Sequence, residues 1–516
     1  MGSTRGVVAA GHRLTAEAGA EMLRQGGNAF DAAVAAVFTA CVAESVLTSV
    51  AGGGFLLAHT AAGENTLFDF FCQTPAAKAT AQPHFYPIEA NFGDVVQEFH
   101  IGLGSMAVPG NLAGLLTVHR KLGRLPLETI VEPAQHWAKA GVEVDPFRAY
   151  CFELLGPILL ATPEARSLYA PQGRLLQVGE VLTLPDFANF LSQLSKTGLE
   201  SFYHGEIAHQ IAQDCQQTGG YLSLSDLQAY RVEERKPLTI NYRDSVLLTN
   251  PPPSSGGTLI AFALKLLEQA NLKSLQYGSL SHLALLRQAM SLTNQARRDG
   301  YDANLYQENV ADWFLDPSHL SHYQHDYANT VNKWGSTTHV SVVDGEGNAA
   351  SVTTSNGEGS SYVIPGTGIM VNNMLGEEDL NPHGFHQWQP NRRISSMMAP
   401  TIVLQDERPR LVLGSGGSNR IRTAILQVIL NTVDFGMSLE EAVAASRIHW
   451  EREVFNLEPG FDQAALEAAG VGAADERIWW QQPNMFFGGV HSVAIGSDDS
   501  LIGAGDSRRG GAIAQV

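Results

Sequence analysis

The pattern of apolar and polar positions changes twice along the chain. Apolar residues recur at helical spacing, or in largely apolar helical runs, in residues 16–26, 31–46, 112–229, 259–292, 418–435 and 439–446. The first of these segments ends at two glycines, a signal typical of a helix C-terminus. Between the helical parts, β-branched hairpins begin at Thr337. Helices, then strands, then helices predict two central sheets with helical layers outside.

One hairpin is defined closely by its residue types. Residues 340–343 predict a strand, residues 344–348 a turn, and residues 349–355 a return strand. Residues 51–59 predict a glycine turn that enters a buried strand. This turn has neither a Lys-Ser/Thr pair nor a G-x-G-x-x-G spacing, so it indicates close backbone packing rather than a phosphate loop.

Composition limits the class of protein and its partners. The chain has 516 residues, of which 44% are hydrophobic and 16% charged, as in a soluble globular enzyme with a large core. This length fits two or more domains, or one large layered fold. The net charge of −19 argues against nucleic acid and anionic membrane surfaces as partners.

Targeting and metal-binding signals are weak. The first residues lack the apolar region of a signal peptide, although a trimmed leader is compatible with this start. The most apolar window, residues 32–43, is too short to span a bilayer. The four cysteines are widely spaced and form neither a zinc pattern nor a disulfide framework. We therefore expect a cytoplasmic protein that uses no metal and no cofactor.

Thr337 is the first candidate for chemistry. It stands at the head of the predicted hairpin, directly after Ser336. A threonine hydroxyl is a weak nucleophile unless a base lies beside it, and cutting the chain before the threonine would supply its own α-amine as that base. Such an amine has a pKa of about 8, close to working pH. By itself the pattern also fits a plain hairpin, because threonine is common in strands.

Seven short segments occur in an order known from one enzyme family, namely residues 23–35, 52–55, 107–110, 251–257, 337–339, 394–397 and 414–418. Over nearly its whole length the chain thus resembles the γ-glutamyltransferase family of N-terminal nucleophile hydrolases. The resemblance implies a four-layer αββα fold and self-cleavage between Ser336 and Thr337. Fragments 1–336 and 337–516 would remain together as one compact unit.

The resemblance also implies a ping-pong acyl transfer. Thr337 attacks a small-molecule amide and releases an amine, and the threonyl ester passes to water or to an amine or peptide acceptor. Ser355 matches the position whose hydroxyl hydrogen-bonds the nucleophile. Gly416 and Gly417 match the loop whose backbone amides stabilise the oxyanion, although the alignment leaves open which two amides act.

Three further positions match residues that bind a glutamyl donor. Glu377 matches the acid that binds the α-ammonium, and Ser395 and Ser396 match the pair that binds the α-carboxylate. The family's substrate-binding asparagine falls on Gly357, so the neighbouring Asn356 is a candidate if the alignment gap lies here. Asn356 is equally compatible with a plain turn residue before a glycine.

The chain departs from the family at the position of the arginine that clamps the donor carboxylate. Phe71 stands there instead, and losing such a contact removes roughly 1.5–3 kcal/mol of binding free energy. Either Arg392 or Arg393 replaces the clamp, or the donor is not a free γ-glutamyl terminus. The segment between Glu377 and Ser395 is also shorter than in members with a lid, which predicts an open pocket.

Three functions remain open from the sequence. The first is a self-processing enzyme that hydrolyses or transfers γ-glutamyl, glutathione-type amides through a threonyl acyl-enzyme. The second is an acylase of the same family for glutaryl-type or other side-chain amides. The third is an uncleaved, non-catalytic binding protein. The oligomeric state stays open, and for His339, two residues past Thr337, we expect a structural role.

Overall fold

Two antiparallel β-sheets pack face to face at the centre of the computed structural model, which describes residues 5–78, 82–91, 96–324, 336–381 and 384–516 of the uncut chain. The first sheet has seven strands in the order β22-β1-β11-β12-β2-β3-β8, and the second has six in the order β21-β20-β16-β15-β10-β9. Strands β11 and β12 of the first sheet face β16 of the second. Helices cover the outer face of each sheet.

The strands are β1 Gly6–Ala10, β2 Gly53–His59, β3 Asn65–Phe70, β4 Tyr86–Asn91, β5 Val96–Ile101, β6 Val142–Glu143, β7 Val181–Leu182, β8 Glu233–Arg235, β9 Leu238–Tyr242, β10 Ser245–Thr249, β11 Thr338–Asp344, β12 Ala349–Ser355, β13 Val363–Ile364, β14 Ile369–Met370, β15 Thr401–Gln405, β16 Arg408–Gly416, β17 Ile448–Glu451, β18 Val454–Leu457, β19 Glu476–Trp479, β20 Gly489–Ile495, β21 Leu501–Ala504 and β22 Ala512–Gln515.

The α-helices are α1 Arg13–Arg24, α2 Ala29–Ala43, α3 Asn111–Leu122, α4 Leu127–Ala140, α5 Pro146–Leu154, α6 Gly156–Leu159, α7 Pro163–Tyr169, α8 Pro185–Thr197, α9 Glu200–Tyr203, α10 Glu206–Thr218, α11 Leu224–Ala229, α12 Gly256–Leu267, α13 Leu280–Ala296, α14 Asp302–Asn304, α15 Val310–Phe314, α16 Pro317–Ser321, α17 Arg420–Val433, α18 Leu439–Ala444 and α19 Gln463–Ala468. A π-helical turn, Arg297–Tyr301, joins α13 to α14.

The side chains of β11 alternate between the face covered by helices and the face packed on the second sheet. Val340 and Val342 belong to the core between the first sheet and the helices that include α2. His339 and Ser341 point the other way, where the hydroxyl of Ser341 donates to the carbonyl of His491 in the second sheet. Side chains alternate between the two faces of a strand, so β11 presents apolar residues to the helices and small polar residues to the other sheet.

The helix α2 is buried along its whole length, as its apolar sequence predicts. It begins one residue after Asn28, whose side chain accepts from the amides of Phe30 and Asp31, while the Asp31 carboxylate accepts from the amide of Asn28. This capping box fixes the start of the helix. α17 and α12 take the equivalent outer position on the second sheet.

The hairpin prediction is confirmed. The predicted return strand, residues 349–355, coincides with β12, and β11 begins at Thr338, two residues before the predicted strand. The predicted helices at residues 16–26 and 31–46 correspond to α1 and α2, each beginning a few residues earlier than expected. For α1 the reason is a cap by His12, whose ring accepts from the amide of Leu14.

In the ranges that the structure describes, no helix is long and apolar enough to cross a membrane. The same ranges hold no cluster of three His, Cys, Asp or Glu side chains arranged to bind a metal ion. All four cysteines are buried and unpaired.

Candidate active site

A cavity that opens to solvent lies at the end of β11 where the two sheets meet, and its empty space together with the adjoining solvent amounts to about 720 Å³. It brings together six of the residues predicted from the sequence, namely Ser336, Thr337, Ser355, Glu377, Ser395 and Ser396. The remaining walls are formed by Phe71, Ser255, Arg297, Asp302, Leu305, Gly357, Glu358, Met374, Asp379, Leu380, Met397, Met398, Ser418 and Ile421.

The Thr337 hydroxyl is directed at the peptide bond that precedes it. Its Oγ1 donates to the carbonyl oxygen of Ser336 at 2.7 Å, and Ser355 Oγ donates to the same oxygen at 2.6 Å. The amide of Gly357 in turn donates to Ser355 Oγ at 3.0 Å and holds that hydroxyl in place. The carbonyl of Ser336 thus receives two hydroxyl groups, of which one belongs to the predicted nucleophile.

The strand that presents Thr337 is anchored by a buried carboxyl group. Thr338 Oγ1 hydrogen-bonds Glu44, and Glu44 also accepts from Thr15 Oγ1 at 2.7 Å. Glu44 is 4% exposed, and its burial raises the pKa of the carboxyl above its ordinary value. These contacts link the first residue of β11 to α1 and to the end of α2.

The glycine loop after β16 lies against Thr337. A Cβ atom at Gly416 would lie 2.1 Å from the carbonyl oxygen of Thr337, so only glycine permits this approach. Gly417 has φ +121° and Ser418 has φ 49°, both in the left-handed region. In the described part of the chain the amides of Gly417 and Ser418 donate to no acceptor, and Ser418 lines the cavity.

Two buried carboxyl groups face each other beside Ser336. Glu358 is 2% exposed and Glu377 is 8% exposed, and both line the cavity. One oxygen of each finds no hydrogen-bond donor elsewhere among the described residues, and the two side chains interact with one another. Burial raises the pKa of both carboxyl groups, and the charge of Glu377 raises the pKa of Glu358 further. One shared proton satisfies this arrangement.

Asn356, which the sequence left open as a substrate-binding residue or a plain turn residue, is not among the described residues that line the cavity. Its side-chain amide donates to the carbonyl of Met370 at 3.4 Å, and the residue is 2% exposed. A Cβ atom at Gly357, the aligned position, would lie 2.2 Å from Asn373 Oδ1 and 3.1 Å from Glu377 Oε1. The side chains of Asn373 and Glu377 therefore leave no room for an asparagine at position 357.

Neither Arg392 nor Arg393 lines the cavity, so neither replaces the missing clamp there. Arg393 is 5% exposed and donates to the carbonyl of Phe71, to the Tyr230 hydroxyl and to the carbonyl of Arg231. Arg392 lies in a neighbouring groove with its guanidinium over an aromatic ring. The ring of Phe71 lines the cavity and stacks on Phe55 at 5.4 Å between centroids.

Arg297 is the one cation among the described residues that line the cavity. It occupies the first position of the π-helical turn after α13, and its Nε donates to both carboxylate oxygens of Asp302 at 2.9 and 3.0 Å. Ser255 and Ser395 line the same cavity, and their hydroxyl oxygens are 3.1 Å apart. Sequence reasoning missed Arg297 because it belongs to none of the seven matching segments.

Glu358 was also missed by sequence reasoning, although it lies three residues after Ser355. A single glutamate in a glycine-rich turn has no signal that separates it from a surface charge. His339, in contrast, has the structural role that we expected. It is fully buried between Thr353 Oγ1 at 2.8 Å and Ser341 Oγ at 2.9 Å, and burial lowers its pKa far below 6.5.

The sequence profile of the family described as Gamma-glutamyltranspeptidase matches residues 15–516. A glutathione hydrolase proenzyme of Escherichia coli (strain K12) is 31% identical over 542 residues, which cover 98% of this chain and 90% of that protein. An acylase ACY 1 proenzyme of Pseudomonas sp. (strain SE83) is 31% identical over 532 residues, which cover 97% of this chain and 92% of that protein.

Two solved structures have a similar fold. A cephalosporin acylase from Bacillus halodurans has a TM-score of 0.87 at 24% identity and covers 100% of this chain and 96% of its own. A gamma-glutamyltranspeptidase from Helicobacter pylori has a TM-score of 0.53 at 30% identity and covers 62% of this chain and 91% of its own. The predicted four-layer αββα fold of the N-terminal nucleophile hydrolases is confirmed. The chain belongs to the gamma-glutamyltranspeptidase family of enzymes.

Proposed function

We propose that this chain is a self-processing enzyme that cuts itself between Ser336 and Thr337 and then hydrolyses or transfers γ-glutamyl amides through an ester on Thr337. The observation that supports this most directly is the contact of the Thr337 hydroxyl with the carbonyl oxygen of Ser336 at 2.7 Å. The relatives named glutathione hydrolase and acylase are both described as proenzymes, which agrees with a precursor that is cut.

Self-cleavage begins with attack of Thr337 Oγ1 on the carbonyl carbon of Ser336. The new C–O bond forms while the C–N bond between the two residues breaks, and the hydroxyl proton passes to the Thr337 nitrogen. Ser355 Oγ donates to the carbonyl oxygen, so it stabilises the charge that develops there. Water then hydrolyses the ester, which leaves a carboxylate on Ser336 and a free α-amine on Thr337.

Turnover repeats this chemistry on a substrate. The α-amine of Thr337 takes the hydroxyl proton as Oγ1 attacks the substrate carbonyl, and it passes this proton to the departing amine. We assign stabilisation of the oxyanion to the amides of Gly417 and Ser418, because both are without acceptors in the described ranges. Water or an acceptor amine then takes the acyl group and regenerates the threonine.

Donor recognition follows from the charges around the cavity. The acid pair Glu358–Glu377 accepts an ammonium group, because a cation replaces the shared proton without leaving a buried charge unpaired. Arg297 has N–H donors beyond those bound to Asp302, and it takes the α-carboxylate together with Ser395. A γ-glutamyl group offers both charges, which favours it as the donor.

The second candidate is a side-chain acylase, and Phe71 is the observation that favours it. An apolar ring in place of the family's arginine extends the apolar wall formed by Met374 and Met397. Such a wall suits an acyl chain with fewer charges. The match to an acylase proenzyme over 97% of the chain agrees with this alternative.

Four anilides test the donor directly. The γ-glutamyl compound has an ammonium and a carboxylate, the glutaryl compound only the carboxylate, the 4-aminobutyryl compound only the ammonium, and the butyryl compound neither. We expect two fragments with Thr337 as a new N-terminus on a denaturing gel, and the highest kcat/KM for the γ-glutamyl anilide. A glutaryl anilide cleaved equally well would establish the acylase instead. An intact chain that cleaves none of them would be the binding protein.

A further inference from the structure

Glu358 makes a direct contact with Ser336, the residue that self-cleavage separates from Thr337. The amide of Ser336 donates to Glu358 Oε1 at 2.8 Å, across 22 residues of sequence. The backbone of Glu358 is itself fixed, because its amide donates to Asn373 Oδ1 at 2.9 Å. Both residues lie at the wall of the cavity with Thr337.

With the contact to Glu358, both the amide and the carbonyl of Ser336 are held by hydrogen bonds. Two hydroxyl groups bind its carbonyl oxygen, one from Thr337 and one from Ser355, and the carboxyl of Glu358 binds its amide. With both backbone polar groups of Ser336 bound, rotation of the carbonyl away from Thr337 Oγ1 breaks a hydrogen bond. Restricting a reacting group to the attacking geometry accelerates an intramolecular step.

Accepting the hydrogen bond from the Ser336 amide does not require a carboxyl group, and burying a carboxyl group here is unfavourable. A neutral side-chain oxygen would accept the same N–H bond, whereas Glu358 is nearly completely buried beside a second acid, Glu377. Burying two carboxyl groups without a cation is unfavourable unless a proton or a ligand satisfies them. Groups held at such a cost occur preferentially at functional sites. Arg420, Arg509 and Asp379 also lie near enough to affect the charge of this pair.

When the chain is cut, Glu358 Oε1 becomes able to bind a second hydrogen-bond donor in place of the Ser336 amide. Thr337 Oγ1 attacks first the Ser336 carbonyl and later the substrate carbonyl, so both carbonyl carbons occupy a place within reach of this oxygen, although different groups bind the two carbonyl oxygens. Departure of Ser336 leaves Glu358 Oε1 without its donor, on the acyl side of that place. An acyl group with an amine close to its carbonyl supplies a new donor.

We propose that Glu358 is a positioning residue for self-cleavage, and that after the cut it binds an amine on the acyl group of the substrate. The proposal rests on the proposed function, since it needs Thr337 to perform both reactions. Glu358 takes and gives no proton in either reaction. It holds the nitrogen on the acyl side, which is the Ser336 amide first and the donor ammonium later.

The first arm of the test follows self-cleavage of the full chain on denaturing gels over time. We expect Glu358→Ala to slow the appearance of the two fragments about tenfold to a hundredfold, because the scissile carbonyl loses one of its restraints. Glu358→Gln should cut at close to the wild-type rate, because its amide oxygen accepts the same N–H bond. Glu346→Gln is the control, because Glu346 lies in the turn between β11 and β12, outside the cavity, and binds Arg124 at the surface.

The second arm uses the cut fraction of each variant with the 4-aminobutyryl and butyryl anilides. We expect Glu358→Ala and Glu358→Gln to lower the preference for the amine-bearing compound by about tenfold, with the butyryl rate unchanged. Measuring Tm in a Thr337→Ala background shows whether a variant is merely unfolded.

Wild-type cutting by Glu358→Ala, or an unchanged donor preference, overturns the proposal. Equal loss of cutting in the Gln and Ala variants also overturns it, because charge rather than the hydrogen bond would then be needed. These results differ from failure of the proposed function, in which the wild-type chain itself stays uncut.

Discussion

Thr337 Oγ1 and the carbonyl oxygen of Ser336 are 2.7 Å apart, and the hydroxyl donates to that oxygen. The two residues are adjacent in sequence, yet the contact needs the rest of the fold. Ser355, at the end of the neighbouring strand, binds the same carbonyl, and Gly416 lies against the Thr337 carbonyl. The uncut chain thus presents the peptide bond between Ser336 and Thr337 to the Thr337 hydroxyl, and this arrangement leads to specific expectations.

Thr337→Ala removes the attacking hydroxyl. We expect this variant to remain a single chain and to lose turnover by about a thousandfold or more, because one oxygen serves both reactions. Thr337→Ser retains the hydroxyl and should still be cut. Mass spectrometry of the purified chains checks both variants, and a Thr337→Ala chain that splits at this bond would contradict self-cleavage.

Gly417→Ala tests the assignment of the oxyanion loop. At φ +121° a side chain strains the backbone and displaces the neighbouring amides, so we expect kcat to fall about a hundredfold with little change in KM. Gly347→Ala is the matched control, because Gly347 also has positive φ, at +97°, but lies in open space in the turn between β11 and β12. A raised KM with unchanged kcat would place the loop in substrate binding instead.

Arg297→Gln tests the cation that the structure places in the cavity. We expect kcat/KM for the γ-glutamyl and glutaryl anilides to fall about tenfold to a hundredfold, because each loses a charge-assisted contact to its carboxylate. The 4-aminobutyryl and butyryl anilides should change by no more than about twofold. Arg392→Gln serves as the control in the neighbouring groove. A uniform loss over all four compounds would assign Arg297 a structural role with Asp302.

Glu377→Ala removes the second acid of the Glu358–Glu377 pair and so tests recognition of the donor ammonium. Donors with an amine, the γ-glutamyl and 4-aminobutyryl anilides, should lose about tenfold or more in kcat/KM. The glutaryl and butyryl anilides lack the amine and should react nearly as before. If all four compounds are affected alike, Glu377 acts on the shape of the cavity rather than on the charge of the donor.

The acid pair predicts how stability depends on pH. Burial raises the pKa of Glu358 and Glu377 in the folded chain above the ordinary value of 4.5. The folded chain therefore holds a proton that the unfolded chain releases. The contribution of this proton to the free energy of unfolding is complete below the ordinary pKa, and it is lost as pH rises through the raised pKa of the folded chain. In a Thr337→Ala background, Glu358→Gln should make Tm fall less as pH rises above the ordinary carboxyl pKa of 4.5. Parallel Tm curves would contradict the shared proton.

Much of the fold could be predicted from local sequence. The return strand at residues 349–355 coincides with β12, because alternating small and β-branched residues after a glycine turn favour one structure. The long apolar run at residues 31–46 became the buried helix α2. Thr337, Ser395 and Ser396 lie in segments that match the family, whereas Ser355 and Glu377 match single family positions. The fold brings all five to one cavity.

The tertiary structure alone decided the details of charge and space around the cavity. Asn373 and Glu377 exclude a side chain at position 357, a restriction that sequence adjacency does not reveal. Arg393 was a plausible clamp by its sequence position, but its donors are bound to Phe71, Tyr230 and Arg231.

The packing of segments that are distant in sequence brings Arg297 and Glu358 to the same cavity. The sequence determines which residues are available and which strand or helix holds them. Whether a charged side chain is free for a substrate depends on which partners the fold places within hydrogen-bonding distance, and only the three-dimensional packing sets those distances.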